Sequence, residues 1–141
     1  MPEVERWLTL LEEQGGRLTD PRRAIVELLA NSEKALSPVD VFDQARSSYP
    51  KMGLVTVYRT LEVLHELGLV ERVHQSDGCH MYIRAAQGHE HIMLCTHCGK
   101  TVYFSGDDLG PLMQKLGRES GFLIQEHWLQ LQGLCKDCHS S

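Results

Sequence analysis

Apolar residues recur at intervals of three and four through the first half of the chain, then alternate with polar ones over two short runs. Val4, Trp7, Leu8, Leu10 and Leu11 predict a helix over 4–14 that stops at Gly15-Gly16. A second helix starts after Thr19-Asp20-Pro21, where Thr19 or Asp20 can cap it and Pro21 suits its first turn. Its stripe is Ala24, Ile25, Leu28 and Leu29. Ser37-Pro38, with Asp40 three residues after Ser37, signals a third helix through Val39, Val41, Phe42 and Ala45 to about Ser48. The fourth, about Val55 to Leu67, buries Leu54, Val57, Leu61, Leu64 and Leu67 and ends at Gly68. Val55, Thr56, Arg59, Val63 and Glu66 lie on its opposite face, with Tyr58 on the flank. Leu69–His74 and Cys79–Arg84 read as strands around an Asp-Gly turn.

Short helices followed by a two-stranded hairpin make a winged helix-turn-helix pattern, in which a helix suits the major groove of DNA and a β-ribbon lies beside it. Ala85-Ala86-Gln87-Gly88 opens a hinge. Beyond it, His91–Cys95 and Thr101–Phe104 read as strands, and Asp107 or Asp108 opens a helix with the stripe Leu109, Leu112, Met113 and Leu116. Phe122–Gln132 is strand-like. The fold class is therefore α+β. The expected division is 1–84 as a winged-helix DNA-binding domain, 85–91 as a hinge, and 92–141 as a metal-binding domain, for which the family resemblance given below implies an α/β dimerisation fold. About 50 residues make a small core, which zinc and dimerisation would supplement.

Charge changes this picture only in part. The net charge is −5, with 10 Lys/Arg against 13 Asp/Glu up to residue 84 and 4 against 6 after it. DNA binding must then rest on a local cluster and specific contacts rather than on a broad positive field. No apolar stretch approaches the ~20 residues that span a bilayer. The N-terminus lacks the basic and apolar regions of a secretory signal. These features predict a cytoplasmic protein without a membrane partner, in which reduced cysteine pairs bind metal.

Cys95-x₂-Cys98 and Cys135-x₂-Cys138 each place two thiolates on a tight turn, and two such turns complete a tetrahedron around one structural Zn²⁺ per chain. The 36 residues between the pairs must enclose a helix and strands. His97 and His139 stand nearby, but a four-cysteine site needs neither. A second group comprises His89 and His91, which share one side of an extended segment, with His127 and Asp107 or Asp108. Such a mixed nitrogen and oxygen set would hold an exchangeable divalent ion: Zn²⁺, Fe²⁺, Mn²⁺ or Ni²⁺. Glu71, Cys79, His80 and Glu90 form a more speculative third set.

The order Arg17-Leu18-Thr19-x-x-Arg22, Thr56-Val57-Tyr58-Arg59-Thr60-Leu61, His89-Glu90-His91-x₃-Cys95-x₂-Cys98-Gly99-Lys100 and Gly121-Phe122…His127…Gly133-x-Cys135-x₂-Cys138 resembles the ferric uptake regulator family over nearly the whole chain. The resemblance implies a homodimeric, metal-responsive transcriptional repressor that binds a palindromic double-stranded operator, without a small-molecule substrate. It places Tyr58 and Arg59 on the recognition helix and brings Arg17 to the DNA; Thr56 and Arg22 join them as DNA-binding candidates. Where the family's hinge site has metal ligands, this chain has Ala35, Ile83 or Ala85, and Ile92, so that site is absent or rebuilt from Glu71, Cys79, His80 and Glu90. The family's other site keeps His89, His91 and His127, but its Glu falls on Gly110, leaving Asp107 or Asp108 to serve.

The resulting expectation is a repressor whose DNA affinity rises with a second divalent metal, Zn²⁺ favoured. Iron, manganese or peroxide sensing within the same family is the alternative. A hydrolytic site on His89, His91 and His127 is disfavoured, since the tight spacing is not an HExxH helix. A third reading is a zinc-stabilised protein-interaction module.

Overall fold

The computed structural model describes residues 2–74, 80–88, 90–105, 109–127 and 129–140. Its contacts divide the chain into two units, Met1–Ala85 and Ala86–Ser141. No helix among the described residues is long and apolar enough to cross a membrane.

The first unit comprises α1 (Pro2–Glu13), α2 (Asp20–Asn31), α3 (Pro38–Ala45), α4 (Leu54–Glu66), β1 (Val70–His74) and β2 (His80–Arg84). Helix α1 buries Val4, Trp7, Leu8 and Leu11. The Trp7 indole N–H and the Arg6 guanidinium both donate to Glu3 Oε1, at 3.0 and 2.9 Å. Its end is closed by paired backbone bonds: Gly16 N–H to the Leu11 carbonyl at 3.0 Å and Gly15 N–H to the Glu12 carbonyl at 2.9 Å. That closure requires the left-handed φ of 80° at Gly15. Of the two candidate caps for α2, Thr19 serves, its hydroxyl accepting the Arg22 N–H at 3.4 Å. Ser37 and Asp40 form the expected reciprocal box at the start of α3, each bond 3.1 Å.

Helix α3 stops at Ala45, not at Ser48. Ser48 and Tyr49 still bond back to the Ala45 carbonyl, but Tyr49 precedes Pro50, a position that disfavours helical backbone. In α4 the buried stripe is Val57, Thr60, Leu61 and Leu64. Leu54, expected inside, is 41% exposed because it lies in the first turn, beyond the edge of the core. Val63, expected on the outward face, packs half-buried against the core. The hairpin pairs β1 with β2 from Val70↔Arg84 to His74↔His80. Leu36 adds an antiparallel bridge to Tyr82, with backbone bonds of 2.9 and 2.8 Å, and so ties the hairpin to the segment between α2 and α3. The expected Asp-Gly turn and Cys79 lie outside the described residues.

The second unit comprises β3 (Glu90–Cys95), β4 (Thr101–Ser105), α5 (Leu109–Ser120), β5 (Gln130–Gly133) and α6 (Lys136–His139). Its sheet has the order β4-β3-β5, with β3 antiparallel to β4 and parallel to β5. The strand expected over His91–Cys95 is β3, which begins one residue earlier, at Glu90, within the segment assigned from sequence to the hinge. The strand expected over Phe122–Gln132 shrinks to Gln130–Gly133, and residues 121–127 have no regular structure. Phe122 and Leu123 are 74% and 86% exposed, so their apolar character signals neither pairing nor burial within the chain. Helix α5 buries none of its residues. Among the described residues of this unit, the buried apolar ones are Ile92, Leu94 and Cys95 on β3.

Candidate metal centre and nucleic-acid interface

Strand β3 delivers Cys95 to a tight turn in which Cys95 N–H bonds the Lys100 carbonyl at 2.9 Å and Gly99 N–H bonds the Cys95 carbonyl at 3.0 Å. Gly99 takes a φ of 81°, which a side chain would strain. The parallel register Cys95↔Gly133 brings the second pair alongside, and Thr96 N–H clamps the Gly133 carbonyl at 2.8 Å. Cys135 caps α6, its carbonyl accepting the Cys138 and His139 N–H groups at 3.0 Å. All four sulfurs lie within 4.8 Å of one another. Cys98 and Cys135 are 3.8 Å apart, sulfur to sulfur. Zinc–sulfur bonds of about 2.3 Å in a tetrahedron separate the sulfurs by about 3.8 Å, so the nest fits a zinc ion.

The thiols are unequal. Backbone N–H donors, that of Cys98 first and then that of Cys135 (3.3 Å from Sγ), pull Cys95 down to about 5. Cys138 is pushed up to about 12, chiefly by its hydrogen bond with Cys135. One sulfur is thus already a thiolate at neutral pH while another keeps its proton until a cation replaces it. His97 and His139 are exposed beside the nest.

His91 on β3 is 8% exposed, and its Nε2 is buried without a hydrogen-bond partner among the described residues. The exposed His127 ring lies 5.4 Å away, centroid to centroid, and the Phe104 ring 5.7 Å away. A buried imidazole nitrogen without a partner needs an explanation, and a divalent ion bound there would supply one. His89, Asp107 and Asp108 lie outside the described residues, so the structure joins only His91 and His127 of that set. Gly110, in the first turn of α5, has open space where a side chain would stand.

Of the speculative third set, Cys79 lies outside the described residues, and Glu71 and His80 are not brought together. Glu71 pairs with Ile83, while His80 pairs with His74 at the other end of the ladder. An offset of three residues puts them about 10 Å apart and on opposite faces of the hairpin. Glu90 belongs to the second unit. Of the residues expected where hinge-site ligands would stand, Ala35, Ile83 and Ile92 are 3%, 0% and 0% exposed, and Ala85, the alternative to Ile83, is half-buried.

On the first unit, Arg17, Arg22, Thr56 and Arg59 line one cleft of about 470 Å³ together with Gly16 and Thr19. Four of the five nucleic-acid candidates therefore converge; Tyr58 stands outside the cleft and is 50% exposed. Gly16 was read from sequence only as part of a helix stop, not as part of this cleft. A Cβ there would sit 2.8 Å from the Leu11 carbonyl oxygen and 3.1 Å from Arg22 Nη1, so its bareness lets Arg22 fold across the turn. The Gly15-Gly16 doublet was the available signal.

A winged helix bearing an arginine cleft, joined to a small sheet with a four-sulfur nest, defines a metal-binding winged-helix protein. The chain belongs to the ferric uptake regulator family, whose sequence profile, "Ferric uptake regulator family", matches residues 13–132. It is 34% identical to the ferric uptake regulation protein of Bacillus subtilis (strain 168) over 140 residues, 96% of this chain and 94% of that one. Identity to the peroxide operon regulator of the same organism is 32% over 136 residues, 96% and 93% of the two chains. The fold matches the Helicobacter pylori ferric uptake regulator Fur with a TM-score of 0.76 at 23% identity, covering 99% of this chain and 93% of that one. The family resemblance carried by the motifs is thereby confirmed.

Proposed function

We propose that the protein is a dimeric, metal-responsive transcriptional repressor of metal homeostasis genes, acting in the cytoplasm on a palindromic double-stranded operator. The observation that carries this reading is the convergence of Arg17, Arg22, Thr56 and Arg59 on one cleft beside the outward face of α4. Guanidinium groups there engage phosphates or a guanine edge, and α4 enters the major groove. The regulatory relatives support the reading.

Residues 1–84 would read DNA, 85–91 connect, and 92–141 dimerise and bind metal. Met93, Val102 and Leu131, adjacent across the sheet, are 44%, 48% and 40% exposed, and Leu112 and Leu116 of α5 are 46% and 42% exposed. A second copy covering these surfaces would complete the core. Cys95, Cys98, Cys135 and Cys138 would hold the structural zinc, pinning the chain's end to the turn after β3. His91 and His127, with His89 and Asp107 or Asp108, would take the exchangeable divalent ion. That ion raises DNA affinity only if the DNA-competent arrangement binds it more tightly. Zinc is favoured because the iron-type hinge ligands are missing and histidines suit it.

Duplex selected from random-sequence DNA by the metal-loaded protein tests the reading. Arg59→Ala should lose about 1–3 kcal/mol of binding. Unchanged binding would instead favour the protein-interaction module. Iron, manganese or peroxide sensing is the second reading, favoured by the peroxide-regulator relative. Loss of DNA binding on peroxide treatment of the Fe²⁺ form, but not the Zn²⁺ form, would establish it.

A further inference from the structure

Helix α4 opens behind Gly53, which provides no side-chain cap. Its second residue, Val55, is 62% exposed and stands apart from the hydrophobic core. A β-branched side chain there is also a poorer helix former than alanine. Folding of the unit therefore gives no reason for a valine. The surroundings give one. Thr56 adjoins it and Arg59 lies one turn further along the same face, and both line the cleft with Arg17 and Arg22. In helix-turn-helix proteins, side chains at the start of the second helix reach the base edges while flanking cations hold phosphates. The apolar group that the major groove offers is the C5-methyl of thymine.

We infer that Val55 is a specificity-determining residue that packs on a thymine methyl group in each half-site. This rests on the DNA-binding reading above. Thr56 and Arg59 fix the helix against the backbone, and Val55 scores the base.

The test uses a duplex recovered from random-sequence DNA by the metal-loaded full-length dimer. Each thymine is replaced by uracil, which removes only the methyl group. Wild-type protein should lose about fourfold in affinity at one position per half-site, as expected for one buried methyl at roughly 0.8 kcal/mol. Val55→Ala, which favours the helix, should bind the uracil and thymine duplexes equally at that position while keeping the Arg59 dependence. Equal responses of wild type and Val55→Ala at every position would overturn the inference and leave the DNA-binding reading standing. Recovery of no preferred duplex would overturn that reading and the inference with it.

Discussion

The two units solve the problem of a small core in opposite ways. The first packs Trp7, Leu11, Ile25, Leu29, Leu61 and Leu64 to 1% exposure or less and closes its helices with Gly15, Thr19 and the Ser37–Asp40 box. The second, among its described residues, buries little beyond β3, buries none of α5, and gathers four sulfurs within 4.8 Å. One unit is held by apolar packing. On the proposed reading metal and a second copy would hold the other, which makes the second unit the natural place for a signal to enter.

That contrast can be broken most severely at the nest. Cys135→Ser should abolish tight zinc binding and unfold the second unit, since structural zinc contributes on the order of 10 kcal/mol in small domains. Hydrogen exchange should show amide protection lost in β3–β5 and kept in α2 and α4. Loss in both units together would mean they fold as one. The reciprocal change, Leu61→Ala, should cost the first unit about 2–5 kcal/mol. Urea unfolding should register that loss while zinc content stays at one per chain. Leu116→Glu, on the exposed stripe of α5, should weaken dimerisation at least tenfold, about 1.4 kcal/mol, with monomer stability unchanged. Sedimentation measures it, and an unaltered dimer would remove α5 from the interface.

The smallest effect concerns protons. Cys95, lowered to about 5, is ionised at pH 7 before zinc arrives, whereas Cys138, raised to about 12, is not. Zinc uptake by the stripped protein at pH 7 should therefore release fewer than four protons. The number should climb towards four as the pH falls through about 5 and Cys95 takes up its own proton. Zinc affinity falls in the same direction, because protons compete for the sulfurs. An indicator-dye titration counts them; four at pH 7 would mean Cys95 is an ordinary thiol.

What was legible in the sequence follows a physical line. Caps and metal turns are local, so Ser37 with Asp40 and each Cys-x₂-Cys pair could be read from spacing alone. Amphipathic stripes show which residues seek burial but not whether this chain supplies the cover. Hence the apolar stripe of α5 is left without cover, and Phe122 and Leu123, read as strand, stand exposed. Register is non-local: Glu71 and His80 looked like neighbours across a hairpin until the pairing Glu71↔Ile83 put them on opposite faces. The convergence of Arg17 and Arg22 with Thr56 and Arg59 depends on α2 meeting α4, which no spacing encodes.

The central claim, that metal in the second unit governs DNA binding by the first, is tested most directly by one titration. Protein retaining its single tight zinc after mild chelation is measured against the selected duplex with and without added Zn²⁺, Fe²⁺ or Mn²⁺. The account predicts at least a tenfold gain in affinity with one of these ions, abolished by His127→Ala. Equal affinity with and without every ion would contradict it.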